Sequence, residues 1–258
     1  MWRFYITLAI FVLVAVAFLV FPVTAVPVIL LLALDLLVML ATIAFGAFKI
    51  SSQFFVKAFC RGDPASNQVA ISFDDGPNPI RSPEILEILD RYQCKASFFL
   101  IGKNIERNEG LVRQMKTAGH TIGCHSFSHS RWFPFFPAGR ISREIGDTNR
   151  LIEQQTGEKV RYFRPPFGVT NPNVKKGLRN SGLRVIGWSI RSFDTQTQSA
   201  DKVINRITGR LEGGDVILLH ETSECVMHVL EQLLPRIREM GLNCVSLDQM
   251  MEMQASGS

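Results

Sequence analysis

Cysteine is scarce in this chain of 258 residues. Five are present, Cys60, Cys94, Cys124, Cys225 and Cys244, and none forms a CxxC pair. An odd, scattered set argues against a disulfide framework and leaves buried free thiols as the expectation. Cys124 abuts His125 but reads as a small core residue at a strand end. An excess of one charge sign is also missing. The 28 Lys+Arg against 23 Asp+Glu give a net charge of +5, too mild for a nucleic-acid partner. It is compatible with a membrane surface or an anionic lipid-linked substrate. No internal repeat is present. The sharpest scarcity is local: residues 4–48 contain a single charge, Asp35.

Apolar residues fill that stretch. Phe4 to Phe21 is a run of eighteen residues with Thr7 its only polar member. Pro22-Val23-Thr24-Ala25-Val26-Pro27 interrupts it, and Val28 to Phe48 forms a second run. Each run approaches the ~20 residues that cross ~30 Å of hydrocarbon. The two prolines suit a tight turn between spans. A cleaved signal peptide would explain the first run alone, but a second run follows at once with no small-x-small site between them. The expectation is a transmembrane helical hairpin over residues 1–50 and a linker over 51–67. Arg3 precedes the first span, Lys49, Lys57 and Arg61 follow the second, and the turn carries no charge. That asymmetry predicts both ends, and whatever follows, on the cytoplasmic side. The unpaired cysteines agree with a reducing compartment.

From residue 68 onward, strand-like and helix-like segments alternate. Apolar, β-rich runs predict strands at 69–73, 96–101, 121–124, 161–164, 184–190, 216–220 and 244–247. Helical periodicity predicts helices at 83–91, 109–118, 140–155, 173–181, 200–211 and 226–240. This alternation argues for an α/β fold with a parallel sheet. The last residues, 251–258, read as a tail.

Two segments carry metal-ligand chemistry. Ile71-Ser72-Phe73-Asp74-Asp75-Gly76-Pro77 ends a strand on two adjacent carboxylates. His125-Ser126-Phe127-Ser128-His129 spaces two imidazoles i, i+4, which predicts one helical face for both. Together they can give one Asp and two His to a divalent metal, leaving an open position and a spare carboxylate to act as base. Spacing does not say which Asp stays free. Strand alternation predicts opposite sides for Asp74 and Asp75, which argues against the facing carboxylates of a glycosidase. Three further segments follow: Arg164-Pro165-Pro166-Phe167-Gly168, Trp188-Ser189-Ile190-Arg191-Ser192-Phe193-Asp194 and Asp215-Val216-Ile217-Leu218-Leu219-His220. Every segment falls at the C-terminal end of an expected strand, the face where (β/α) barrels build active sites.

In this order the five segments resemble the polysaccharide deacetylases of the NodB-like, carbohydrate esterase 4 type, over roughly residues 68–250. The resemblance implies a distorted (β/α) barrel that removes N-acetyl, sometimes O-acetyl, groups from a sugar with the help of a metal. It implies Asp75, His125 and His129 as ligands of one divalent ion, with zinc expected. It implies Asp74 as general base, with Arg164 orienting and charge-balancing it. The backbone N–H of Phe167 is the implied oxyanion donor, and His220 the acid for the departing amine. Asp194 would orient His220 and raise its pKa, Leu218 would line the acetyl pocket, and Trp188 would face the substrate. Phenylalanine at 167, where tyrosine is frequent, keeps the backbone donor. Arg191 and Thr195 stand where an acidic residue and a tryptophan are frequent, so sugar binding departs from the common pattern.

Other readings remain on the page. The alternative function is an inactive glycan-binding protein on the same fold, against which the full set of ligands and proton-transfer groups argues. The acetylated aminosugar can belong to peptidoglycan, an exopolysaccharide, a chitin-like oligomer or a lipid-linked glycan. His120 and His228 match no segment and are expected to be structural or exposed. Arg131-Trp132-Phe133-Pro134-Phe135-Phe136-Pro137 reads either as a packed cap or as an interfacial loop touching membrane lipid.

Overall fold

The computed structural model describes residues 2–20 and 25–256. Two apolar helices open it, α1 (Trp2–Val20) and α2 (Ala25–Phe48). Half of the turn expected over Pro22–Pro27 lies outside the described residues; the other half is already helical, and Pro27 falls in the first turn of α2, where a missing N–H is tolerated. The helices are antiparallel. Arg3 Nη1 donates to Ser52 O at 3.1 Å, and the Phe4 ring lies 5.4 Å from that of Phe55, so α1 starts where α2 ends. Both are long and apolar enough to cross a membrane, and α1 buries none of its residues. They are consistent with a membrane span or a signal anchor.

The rest is a curled parallel sheet wrapped by helices. Its strands are β1 (Ala58–Phe59), β2 (Gln68–Gly76), β3 (Ser97–Leu100), β4 (Thr121–Cys124) and β5 (Tyr162–Phe163). They continue with β6 (Arg184–Ile186), β7 (Ile190–Arg191), β8 (Val216–His220) and β9 (Asn243–Val245). The helices are α3 (Arg81–Arg91), α4 (Gly102–Ile105), α5 (Glu109–Thr117) and α6 (Ala138–Thr156). After them come α7 (Pro172–Gly177), α8 (Ala200–Thr208), α9 (Val226–Glu239) and α10 (Leu247–Ser256). The spatial order is β1-β6-β5-β4-β3-β2-β8-β7, with β9 pairing the start of β2. This is the parallel α/β sheet that the alternation predicts, curled into the distorted (β/α) barrel that the resemblance implies and left open between β1 and β7.

Strand alternation sorts the side chains. Ile71 and Phe73 of β2, with Ile217 and Leu219 of β8, join the core under the outer helices. Ser72, Asp74, Leu218 and His220 alternate with them and face the inside of the curl. The register pairs Ser72 with Leu218 and Asp74 with His220, so strand pairing brings the two inward polar ends side by side.

Three sequence expectations need revision. The strand expected over 184–190 is two strands. Gly187 N donates to Phe59 O at 2.8 Å, whereas Ser189 N donates to Val216 O at 3.0 Å. The chain crosses between these residues from one sheet edge to the other, and Trp188 sits in the crossing. Residues 51–67, expected as a linker, are built into the domain. Ala58 and Phe59 pair with β6, Gly62 N donates to Gly214 O at 2.7 Å, and Arg61 Nε meets Asp215 Oδ1 at 3.1 Å. Helix α10 also runs past residue 250 into the expected tail. Among the described residues all five cysteines are free, three of them buried. His120 is buried and its Nδ1 accepts from Ala96 N at 3.1 Å, while His228 is exposed.

Candidate active site

The site forms at the C-terminal ends of β2, β4, β5 and β8. At the end of β2 the pairing with β3 slips between Asp74 and Gly76, and Asp75 takes a positive φ of 71°. This bulge overturns the expectation that the two carboxylates face opposite sides. Both turn toward one imidazole: His125 Nε2 lies 3.6 Å from Asp74 Oδ2 and 3.7 Å from Asp75 Oδ1. Asn104 Nδ2 holds the bulge by donating to Asp75 O at 2.9 Å, and Glu221 N donates to Asp74 O at 3.0 Å.

The two histidines do not share a helix. The chain from His125 to His129 is a tight turn with positive φ at Ser126 (65°) and His129 (46°). Glu144 on α6 fixes it. Its carboxylate accepts from Phe127 N at 3.2 Å, from Ser128 N at 2.8 Å and from the Ser128 hydroxyl at 2.9 Å. The rings still converge, with centroids 4.9 Å apart. The i, i+4 spacing therefore anticipated the convergence but not its backbone.

Asp75, His125 and His129 offer ligand atoms that all lie within 4.8 Å of one another, a group that can hold a metal ion. His129 Nε2 is 3.4 Å from Asp75 Oδ1. Asp75 Oδ1 is itself buried with no hydrogen-bond partner, which is the state of an oxygen reserved for a cation. His125 Nδ1 meets Arg164 O at 2.8 Å, and a carbonyl can only accept there. The proton therefore sits on Nδ1, and Nε2 presents its lone pair to the group. Burial lowers the pKa of both imidazoles and keeps them neutral, as ligation requires. The donor set fits a divalent ion with an open coordination position.

Around this group lie two ion pairs. Arg164, at the end of β5, is fully buried, and its Nη1 donates to Asp74 Oδ1 at 2.7 Å. Its Nη2 donates to Gly187 O at 2.9 Å, and Phe99 covers the guanidinium at 4.0 Å. Burial pushes the Asp74 pKa up, but the charge and hydrogen bond of Arg164, with the His220 charge beyond it, outweigh burial and hold the carboxyl below its usual value. Asp75 is the reverse case: burial dominates and raises it. At the end of β8, His220 N and Nδ1 both reach the buried Asp194 carboxylate at 2.8 Å. Burial opposes the imidazolium, yet the Asp194 bond and charge, with Asp74 and Asp75 behind them, raise the His220 pKa overall. Leu218 is buried on the inward side of β8, and Trp188 lies 5.8 Å from the Arg164 guanidinium. Phe167 takes a positive φ of 61° and rests its half-exposed ring 4.8 Å from His129. Every residue the sequence singled out for the site is thus at one barrel mouth.

A model of the family described as polysaccharide deacetylase matches residues 61–186. A peptidoglycan-N-acetylglucosamine deacetylase of Bacillus cereus is 30% identical over 189 residues, covering 71% of this chain and 87% of that protein. The chain belongs to the polysaccharide deacetylase family. It is a carbohydrate N-deacetylase, a hydrolase of the carbohydrate esterase 4 group. The crystal structure of a peptidoglycan N-acetylglucosamine deacetylase, bound to 4-naphthalen-1-yl-N-oxidanyl-benzamide, superposes with a TM-score of 0.71 at 29% identity, over 74% of this chain and 91% of that one. A carbohydrate esterase 4 pseudoenzyme from Bacillus anthracis is also similar, with a TM-score of 0.69 at 26% identity, over 74% of this chain and 67% of that one. The fold alone therefore does not guarantee catalysis, which depends on the side chains a site carries.

Sequence reasoning missed the supports of this deacetylase site. Glu144 was legible only as a helical residue. Glu221 follows His220, is fully buried, and bonds the Ser82 hydroxyl and Asn78 N. Burial raises its pKa to about 7. A charged residue directly after an expected strand-end histidine is the one local signal that could have drawn attention to it. The aromatic loop is only in part a packed cap. Phe133 and Phe136 are buried, whereas Trp132 is 56% and Phe135 76% exposed.

Proposed function

We propose that this deacetylase hydrolyses the N-acetyl group of an aminosugar, with a metal held by Asp75, His125 and His129. The observation that carries the reading is the orphaned Asp75 oxygen facing two neutral imidazoles between the Asp74–Arg164 and His220–Asp194 pairs. Zinc suits one carboxylate and two imidazoles. Bound there, such an ion would supply Lewis-acid polarisation of the acetyl carbonyl and acidify a water. Asp74, kept ionised by Arg164, takes a proton from the attacking water. The Phe167 N–H donates to the carbonyl oxygen as negative charge grows on it. His220, held by Asp194 with its proton on Nε2, delivers that proton to the departing amine as the C–N bond breaks. Leu218 lines the site for the acetyl methyl, and Trp188 and the Phe167 ring flank the sugar. The products are acetate and the free amino sugar.

The substrate reading takes the sugar to be carried on a membrane lipid, and α1 and α2 to be membrane spans. Three observations support it. Thr170 N, just past the Phe167 turn, donates to Ala47 O at 3.0 Å, which ties the mouth to the last turn of α2. The exposed rings of Trp132, Phe135 and Phe167 stand near the same mouth. The hairpin returns both its ends to the domain side, where Arg3, Lys49, Lys57 and Arg61 favour the cytoplasm. Wall peptidoglycan, the substrate named for the relatives, is the competing substrate. The test is acetate release by full-length, metal-loaded protein from a polyprenyl-linked N-acetyl sugar and from soluble peptidoglycan fragments. Preference for the polyprenyl-linked sugar is expected. Equal or greater turnover of the soluble fragments would transfer the assignment to polymer.

A further inference from the structure

A second cavity opens where the hairpin meets the barrel, about 640 Å³ in volume. Its wall on the membrane side is Tyr5, in the second turn of α1. Five cations line it: Lys57, Lys175, Lys176, Arg179 and Arg184. No carboxylate lines it, and none of the five forms an ion pair among the described residues. All five are exposed, and the floor beneath them includes buried Val56 and Val185. Uncompensated like charges facing one cavity repel each other, so an anion bound there relieves a penalty already built into the fold.

Position identifies the anion. Tyr5 belongs to a helix whose following turns are apolar but for Thr7 and carry no charge, so the cavity lies at the level where hydrocarbon gives way to headgroups. Lys57 and Arg184 sit at the starts of β1 and β6, at the opposite end of the sheet from Asp74, Asp75 and His220. The cavity is therefore separate from the catalytic mouth. We propose that it binds the phosphate headgroup of an anionic membrane phospholipid. The cations would clasp the phosphate, the apolar floor and Tyr5 would meet the glycerol and upper acyl chain, and the bound lipid would fix the domain against the hairpin. The inference rests on reading α1 and α2 as membrane spans, and is independent of the deacetylase chemistry.

Native mass spectrometry of the full chain, released from detergent micelles containing phosphatidylglycerol or phosphatidylcholine, reads the site without any turnover. The wild type should retain one phosphatidylglycerol in preference to phosphatidylcholine. Each cation near a membrane surface changes affinity for an anionic lipid about fivefold, so Lys176→Gln with Arg179→Gln should weaken retention roughly 25-fold. A Lys57→Gln, Lys175→Gln pair should do the same, which separates loss of the site from misfolding of one variant. Lys202→Gln with Arg210→Gln, outside the cavity, should leave retention unchanged. Equal retention of the two lipids, or equal loss in the outside pair, would overturn the proposal. Displacement of the lipid by millimolar inorganic phosphate would overturn it too, by showing a free-anion site.

Discussion

Asp194→Asn isolates the proton donor. Asp194 accepts from both His220 Nδ1 and His220 N at 2.8 Å, and from the Ser192 hydroxyl at 2.7 Å, so all its bonding presumes a carboxylate. An amide keeps the size but removes the charge, and its NH2 would confront one of these donors. Hydrogen bonds to charged groups contribute about 1.5–3 kcal/mol. Without that bond and charge, burial is left to act and the His220 pKa should fall. The sign follows from the role. His220 must be protonated to act, and its raised pKa extends activity toward high pH. In the variant the basic limb of kcat/KM should move to lower pH. Above both limbs the rate should fall about 10- to 100-fold. The assay is acetate release against pH, with metal content measured alongside, because Asp194 touches none of the three proposed ligands. A basic limb that stays in place, with metal retained, would remove His220 and Asp194 from proton delivery.

Three further outcomes test other parts of the site. His129→Ala should remove most bound metal while the fold survives. Elemental analysis after gel filtration reads this, and unchanged metal content would refute the ligand assignment. Arg164→Met should leave Asp74 buried without its cation at a cost of about 3–5 kcal/mol. The Asp74 carboxyl, now held below its usual pKa, should rise above it, so the acid limb of activity should move to higher pH. Denaturant melts losing less than about 1 kcal/mol would show that the pair does not matter to the fold. With Trp2 and Trp188 replaced, Trp132 fluorescence should shift blue and be quenched by brominated lipid after reconstitution, and an unquenched signal would leave the exposed half of that loop in water.

Most of the barrel was legible because its strands are short apolar runs bounded by turn residues, from Val69–Phe73 to Val216–His220. The failures share a cause, namely backbone conformations set by distant partners. The positive φ at Asp75 turns a side chain that strand alternation sends away. The positive φ values at Ser126 and His129 depend on Glu144, on a helix that sequence periodicity marks only as amphipathic. The break at Gly187-Trp188-Ser189 depends on Phe59 and Val216, more than a hundred residues away from the former and some thirty from the latter. Strand β1 has only two residues, too few for any periodic signal. The segments that carry the proposed site residues were legible nonetheless, because each segment lies at or just past a strand end, and strand ends converge in a parallel barrel however the intervening backbone is bent.

The central claim is that Asp75, His125 and His129 hold a metal without which the mouth does no chemistry. The most direct measurement is acetate release from N-acetylglucosamine oligomers and polyprenyl-linked N-acetyl sugar by the full-length protein, first stripped with a chelator and then titrated with zinc. The account predicts no release from the stripped protein and full recovery at one ion per chain. Release untouched by stripping, or absent at every zinc ratio in a folded protein, would contradict it.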